Sequence, residues 1–377
     1  MMAYAGLMDH TDLVQVAHRR LSSSLLSSDQ VLSPKQVVRW FGAMQAQEYE
    51  PAKWAIATRA AGVDNADLDE AVDDGRILRT HALRPTWHFV LPEDIGWLQA
   101  LTGPRVHTKN GHQYRLHGLD DSLRKRTENL ITNWISNDGD LSRKDIGQRL
   151  AAEGIEAKGN RLAYVLMSAE LNGVVCSGQR RGATHTYALV SQRTSSPNEL
   201  TGEAALAELT LRYFRSHGPA TVEDMRWWSS LTLTQIRRGL ELVGNRLHRE
   251  LIGDTELWSL EEQADAKREI PLVQLLQPYD EYTVAYGDTK VVINAAGSPG
   301  EPPVIGGQAF YGALIIESQL AGWWRRTLSR REVKVQVRPM RPLSMSIHSA
   351  VRDVATAYGQ FHGVPVNLDI QAPSQPS

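Results

Sequence analysis

Two glutamines separated by one alanine, Gln45-Ala46-Gln47, carry the most distinctive chemistry of this chain. A side-chain amide both donates and accepts hydrogen bonds, so two of them aimed at one point can hold a water molecule in a fixed orientation. Being neutral at any useful pH, they cannot serve as a general base. Residues two apart on an ideal helix point to nearly opposite sides, so the helix must end or distort near Ala46 for both amides to reach one atom. The following Glu48-Tyr49-Glu50-Pro51 supports a break, because the residue before a proline is pushed out of helical geometry. Glu48 or Glu50 is also able to polarise a water. Amides near helix ends commonly bond backbone instead, and the triplet alone leaves both readings open.

Other chemistries are poorly represented. The 377 residues contain one cysteine, so an internal disulfide or a thiolate cluster is ruled out and a reducing cytoplasm is expected. His81 and His88, seven apart in one ribbon, face opposite sides, and no metal or other cofactor is expected. Walker-type, G-x-G-x-x-G, H-E-x-x-H and G-x-S-x-G motifs are all missing from the sequence. No run of ~20 apolar residues is present to span a bilayer, and the first nine residues do not read as a secretion signal. A 42% hydrophobic and 22% charged composition argues for packed domains, two or three by length.

A net charge of -2 hides a segregation of charge. Asp64–Asp74 and Asp254–Asp265 are acidic, whereas Arg105–Arg126, Gly178–His185 and Arg325–Arg341 are basic. Each run is readable as a solvated face, yet concentrated basic stretches also suit phosphates.

The elements that must position these residues repeat. Helices are expected over 12–26, 35–44, 51–61 and 65–73, with Ser33-Pro34 opening the second, followed by a ribbon over Ile77–Leu91 that turns near Arg84-Pro85. Helices over 123–136, 143–152 (capped by Ser142) and 160–171 precede a second hairpin over Val174–Leu189. Helices over 203–216, 221–229 and 233–243 precede a third over Leu247–Leu260. Three passes of helices followed by a two-stranded wing make a winged helix-turn-helix pattern, whose third helix suits a groove. From Ile270 onward the chain reads as strands, with a Gly/Pro loop at Ala295–Pro303, a helix over 345–359 and a disordered tail from Ala372. The expected fold is therefore α+β, divided as 10–104, 105–195, 200–268 and 269–371. Of Trp227-Trp228 and Trp323-Trp324, one ring of each pair is expected in the core.

Five stretches resemble the bacterial winged-helix family of AlkZ-like DNA glycosylases: QVVRWFGAMQAQEYEPAKWAIATR (36–59), DGRILRTHALRPTWHFVLPED (74–94), ALAELTLRYFRSHGPATVEDMRWWSSL (205–231), LLQPYDEYTVAYGD (275–288) and LAGWWRR (320–326). The resemblance implies tandem winged helices in a C shape around a concave, duplex-sized surface. It also implies hydrolysis of the N-glycosidic bond of alkylated or crosslinked purines. The family's Gln-apolar-Gln motif falls on Gln45 and Gln47, which the resemblance makes catalytic; a sister branch carries Asp at the last position. Where the family reads Leu-Arg-Gly-Thr, this chain has Leu83-Arg84-Pro85-Thr86.

Neutral amides fit this substrate. An N7-alkylguanine or N3-alkyladenine is cationic and already a good leaving group, so placing water near C1′ and stabilising an oxocarbenium-like transition state suffices. No lysine stands in the motif, which argues for a monofunctional enzyme. Expected DNA contacts are Lys53, Arg59, Arg84, His88, Arg180 and Arg181 at the second wing tip, and Arg325 and Arg326. The expected partner is duplex DNA bearing alkylated or crosslinked purines, bound by a monomer, with no membrane. The alternative is a non-catalytic winged-helix regulator or architectural protein.

Overall fold

A computed structural model describes residues 8–27, 31–261, 269–295, 297, 303–305, 308–309 and 311–373. The first segment runs α1 (His10–Ser23), α2 (Pro34–Phe41), β1 (Ala43–Gln45), α3 (Tyr49–Ala57), α4 (Asn65–Asp73), β2 (Leu78–Ala82) and β3 (Arg84–Val90). Asp9, Ser33 and Asp64 open α1, α2 and α4 with reciprocal capping boxes, each satisfying two otherwise orphaned amides. Gly42, at φ +78°, stops α2 and turns the chain into β1. The helix expected over 35–44 is thus cut short, and its last residues become a strand.

The second segment contains α5 (Ile95–Leu116), α6 (Asp121–Asp138), β4 (Leu141–Ser142), α7 (Arg143–Ala152), α8 (Gly159–Leu171), β5 (Val175–Ser177), β6 (Thr186–Leu189) and the single turn α9 (Val190–Arg193). The 22-residue α5 departs from expectation, and the boundary read at 104/105 falls inside it. Buried Gln99, Thr102 and Asn110 interrupt its apolar stripe, and Pro104 lies within it, so it shows no clean helical period. The third segment is α10 (Gly202–His217), α11 (Val222–Ser229), α12 (Leu233–Val243), β7 (Leu247–Ile252) and β8 (Thr255–Leu260).

The last segment holds β9 (Val273–Leu276), α13 (Glu281–Val284), β10 (Val304–Ile305), β11 (Gln308–Ala309), β12 (Gly312–Ile316), β13 (Gln319–Leu328), β14 (Val333–Pro339), α14 (Met345–Phe361) and β15 (Val366–Ile370). Five of its strands form one sheet in the order β15-β14-β13-β12-β9, antiparallel except for β14 with β15. Parts of the Ala295–Pro303 loop, of the second acidic run and of the tail from Ala372 lie outside the described residues.

Helices thus precede an antiparallel hairpin in each of the first three segments. In the first two, a short strand from between the helices adds to the hairpin, giving sheets β1-β3-β2 and β4-β6-β5. The cores cross these segments. One joins Phe41, Trp54 and Phe89 to Leu275, Trp324 and Tyr358, and a second joins Leu83 and Leu98 to Tyr213, Trp228 and Tyr286. The first sheet is therefore gripped from the third and fourth segments. Trp228 and Trp324 enter the core, while Trp227 is exposed and Trp323 half-buried.

Candidate active site

Gln45 ends β1, and Gln47 lies two residues on, just before Glu48 caps α3. The helix break expected near Ala46 falls earlier: α2 ends at Phe41, β1 ends at Gln45, and the chain bends at Gln47 before α3 begins. The pairing continues past the strand, with the Ala46 amide donating to the Trp87 carbonyl at 2.7 Å. Gln45 lies directly opposite His88. On β3, His88 and Arg84 pair with Thr80 and Ala82 of β2, which share one face, and a register shift between the two pairs leaves Thr86 in an irregular stretch of the strand. The hairpin turns at Leu83 (φ +59°) rather than at Arg84-Pro85, so Pro85 sits exposed within β3. His81 does face the other way, its Nδ1 2.5 Å from Glu170 Oε2.

Backbone anchors fix the motif from two sides. The Arg79 guanidinium donates to the carbonyls of Ala46 (2.9 Å) and Gln47 (3.1 Å) and lies 4.4 Å over the Trp87 ring. The Glu281 carboxylate accepts the Gln45 amide at 2.5 Å through Oε1, and His217 Nε2 (3.1 Å) and Trp228 Nε1 (3.0 Å) through Oε2. Glu281 is buried, which alone would raise its pKa; the His217 contact, with Arg84 and the Gln45 amide, instead brings it down to about 2. Neither Arg79 nor Glu281 stands out in the sequence, although they lie in the matching stretches 74–94 and 275–288. Their hydrogen-bond partners are 32 to 236 residues away, beyond any spacing rule.

Several buried side-chain atoms around the motif are left unmet among the described residues. Gln45 is 6% exposed, and its Oε1 has no hydrogen-bond partner among the described residues. The same is true of Arg84 Nε and Nη2, Thr86 Oγ1 and His88 Nε2. Arg84 Nη1 reaches the Val284 carbonyl at 3.4 Å, which also accepts from Nε1 of exposed Trp227 at 3.0 Å. Gln47 is half-buried, and its Oε1 accepts from the Trp87 amide at 3.3 Å. Native proteins pair nearly all buried polar groups, so a cluster of orphans marks a place built for something else. Just beyond Gln47, a surface pocket is lined by Glu48, Pro51, Pro278, Tyr311, Trp324, Arg325 and Arg326.

The family model for AlkZ-like DNA glycosylases matches residues 38–361, spanning every residue of the site. The chain belongs to the AlkZ-like DNA glycosylase family. It is 23% identical over 293 residues to the interstrand DNA cross-link repair glycosylase of Streptomyces sahachiroi, covering 74% of this chain and 79% of that one. The structure of the Streptomyces sahachiroi DNA glycosylase AlkZ superposes with a TM-score of 0.72 at 22% identity, covering 94% of this chain and 98% of the other, which shows the fold. Family membership makes the chain an enzyme, a DNA glycosylase, rather than the regulator considered above.

Several DNA contacts expected of this glycosylase are corrected by their surroundings. Lys53 is fully buried, its Nζ 2.6 Å from Asp69 and 3.1 Å from Glu50. Arg59, 1% exposed, makes a two-pronged contact with Asp280 and donates to backbone carbonyls, so it is structural. Arg180 ties the second wing to α4 through Asp69 (2.9 Å) and Asp73 (2.9 Å), so part of the first acidic run meets a basic turn of the same chain. His88 is completely buried and meets no surface phosphate. Arg181, with 58% of its side chain exposed, remains on the surface. Arg325 and Arg326 are half-buried in the pocket wall. Among the described residues no helix is long and apolar enough to cross a membrane.

Proposed function

We propose that the chain is a monofunctional glycosylase that hydrolyses the N-glycosidic bond of bulky or crosslinked N-alkylpurines, N7-alkylguanine and N3-alkyladenine, in duplex DNA. Gln45 and Gln47 hold the attacking water against C1′. The observation that carries this reading is the buried, unpartnered Oε1 of Gln45, directly opposite His88 on the sheet and two residues from half-buried Gln47. Gln45 offers an acceptor; Gln47, its Oε1 held by the Trp87 amide, keeps its NH2 free to donate to the water under this reading. Supporting a monofunctional reaction, Lys53, the lysine nearest the motif in sequence, is fully buried and held by two carboxylates. The relative from Streptomyces sahachiroi, named for interstrand cross-link repair, supports crosslinked substrates. A monomer wraps the duplex with its tandem winged helices, Arg84, Arg181, Arg325 and Arg326 contributing positive charge along the way.

Substrates with cationic bases suit this arrangement because their leaving group needs no strong acid, and fixed dipoles stabilise the developing sugar cation. A duplex with one N7-methylguanine is expected to yield abasic sites with the wild type and far fewer with Gln47→Ala, with no strand nicking by a lyase step. Tight binding to undamaged duplex without any base release from alkylated or crosslinked DNA would overturn the reading.

A further inference from the structure

The reaction just described leaves one proton without a destination, since neither amide accepts the proton that water must lose. His88 stands directly across the sheet from Gln45 and is completely buried. Its Nδ1 lies 2.9 Å from the Thr86 carbonyl oxygen. A carbonyl only accepts, so Nδ1 carries the ring proton and Nε2 is left with its lone pair. That Nε2 meets no partner among the described residues, and neither does Gln45 Oε1. Directly opposed residues have Cβ atoms ~4.5–5.5 Å apart. Two buried acceptors on directly opposed residues call for a small molecule with two hydrogens to give, and water is one.

We propose that His88 is a catalytic residue, whose Nε2 shares the attacking water with Gln45 Oε1 and takes its proton. This rests on the glycosylase reading above. The water oxygen bonds to C1′ as the C1′–N bond breaks, and the bonding pair passes to the purine ring and cancels its positive charge. The water's proton moves to His88 Nε2, and the imidazolium then returns it to solvent. The charged and titratable groups around the ring are Arg84, Glu281 and, from the opposite face, His81. Burial, with Arg84 beside it, brings the His88 pKa down to about 3, so the resting ring is neutral throughout the physiological range. A base this weak is sufficient because water bonded to an oxocarbenium-like carbon is itself strongly acidic.

His88→Gln keeps an acceptor but removes the base, so it separates holding the water from deprotonating it. With N7-methylguanine duplex under single turnover, the variant is expected to release base about a hundredfold more slowly at unchanged duplex affinity. The wild type is expected to run about twofold slower in D2O, and the variant to lose that difference. A His88→Gln rate within twofold of wild type overturns the assignment, as does a rate loss matched by an equal loss of affinity or melting temperature. Should the variant not fold, the wild-type rate alone decides: equal rates in H2O and D2O exclude proton transfer to His88. No base release by the wild type would instead refute the glycosylase reading itself.

Discussion

The first and second three-stranded sheets share one strand order, a short strand laid on the second strand of a hairpin, and treat their polar groups in opposite ways. In the second, Ser142 ends the short strand by capping α7, Asp140 accepts the Gln179 amide at 2.7 Å, and the Thr186 hydroxyl donates to the Gln179 carbonyl at 2.6 Å. Among the described residues, no buried side-chain atom of β4, β5 or β6 lacks a partner. In the first, the side chains of Gln45, Arg84, Thr86 and His88 all leave atoms unpaired. A buried group without a partner costs about 1–3 kcal/mol. The shared topology sets the geometry; what distinguishes the first sheet is the set of buried polar atoms it leaves unpaired.

The sharpest way to break this contrast is Gln45→Ala. Base release from an N7-methylguanine duplex should fall about a thousandfold, while the melting temperature holds or rises because an unpaired carbonyl oxygen is gone. A cooperative loss of fold with this variant would mean that the amide is structural. Glu281→Gln comes next. It puts an amide NH2 among three donors, so urea unfolding should show about 3 kcal/mol less stability. Its pH dependence sharpens the point. The Glu281 pKa is lowered from 4.5 to about 2, so the carboxylate stabilises the fold fully above pH 4.5 and less as pH falls toward 2. Urea midpoints of wild type and Glu281→Gln should converge across that window; parallel curves would remove the carboxylate from the account. The smallest effect belongs to the second sheet: Thr186→Val should cost about 1 kcal/mol and leave base release intact. A loss of activity larger than the loss of stability would show that the two sheets are not separated in role.

Much of the frame was legible in the sequence, because it is written in local chemistry. Ser33-Pro34 and Ser142 cap helices as expected, α4 and α12 occupy the residues their patterns mark, and alternation locates the hairpins. The Gln-Ala-Gln triplet was legible too, but its setting was not. Three residues of β1 are too few for a period, and only Gly42 signals that the preceding helix has ended. Helix α5 hid behind buried polar residues whose hydrogen bonds are invisible in sequence, as when Gln99 Nε2 donates to the Thr80 hydroxyl and the Glu170 carbonyl. Charge misled for a related reason. Lys53, Arg59 and Arg180 read as phosphate binders because a sequence displays the sign of a charge and not its partner, and Asp69, Asp280 and Asp73 supply those partners.

The Glu281 carboxylate reaches the strand end it anchors from 236 residues downstream. During synthesis, β1 can join its short sheet long before that residue leaves the ribosome. Until then the Gln45 backbone amide lacks the carboxylate that accepts from it, so this end of the strand is completed only when the last part of the chain has docked.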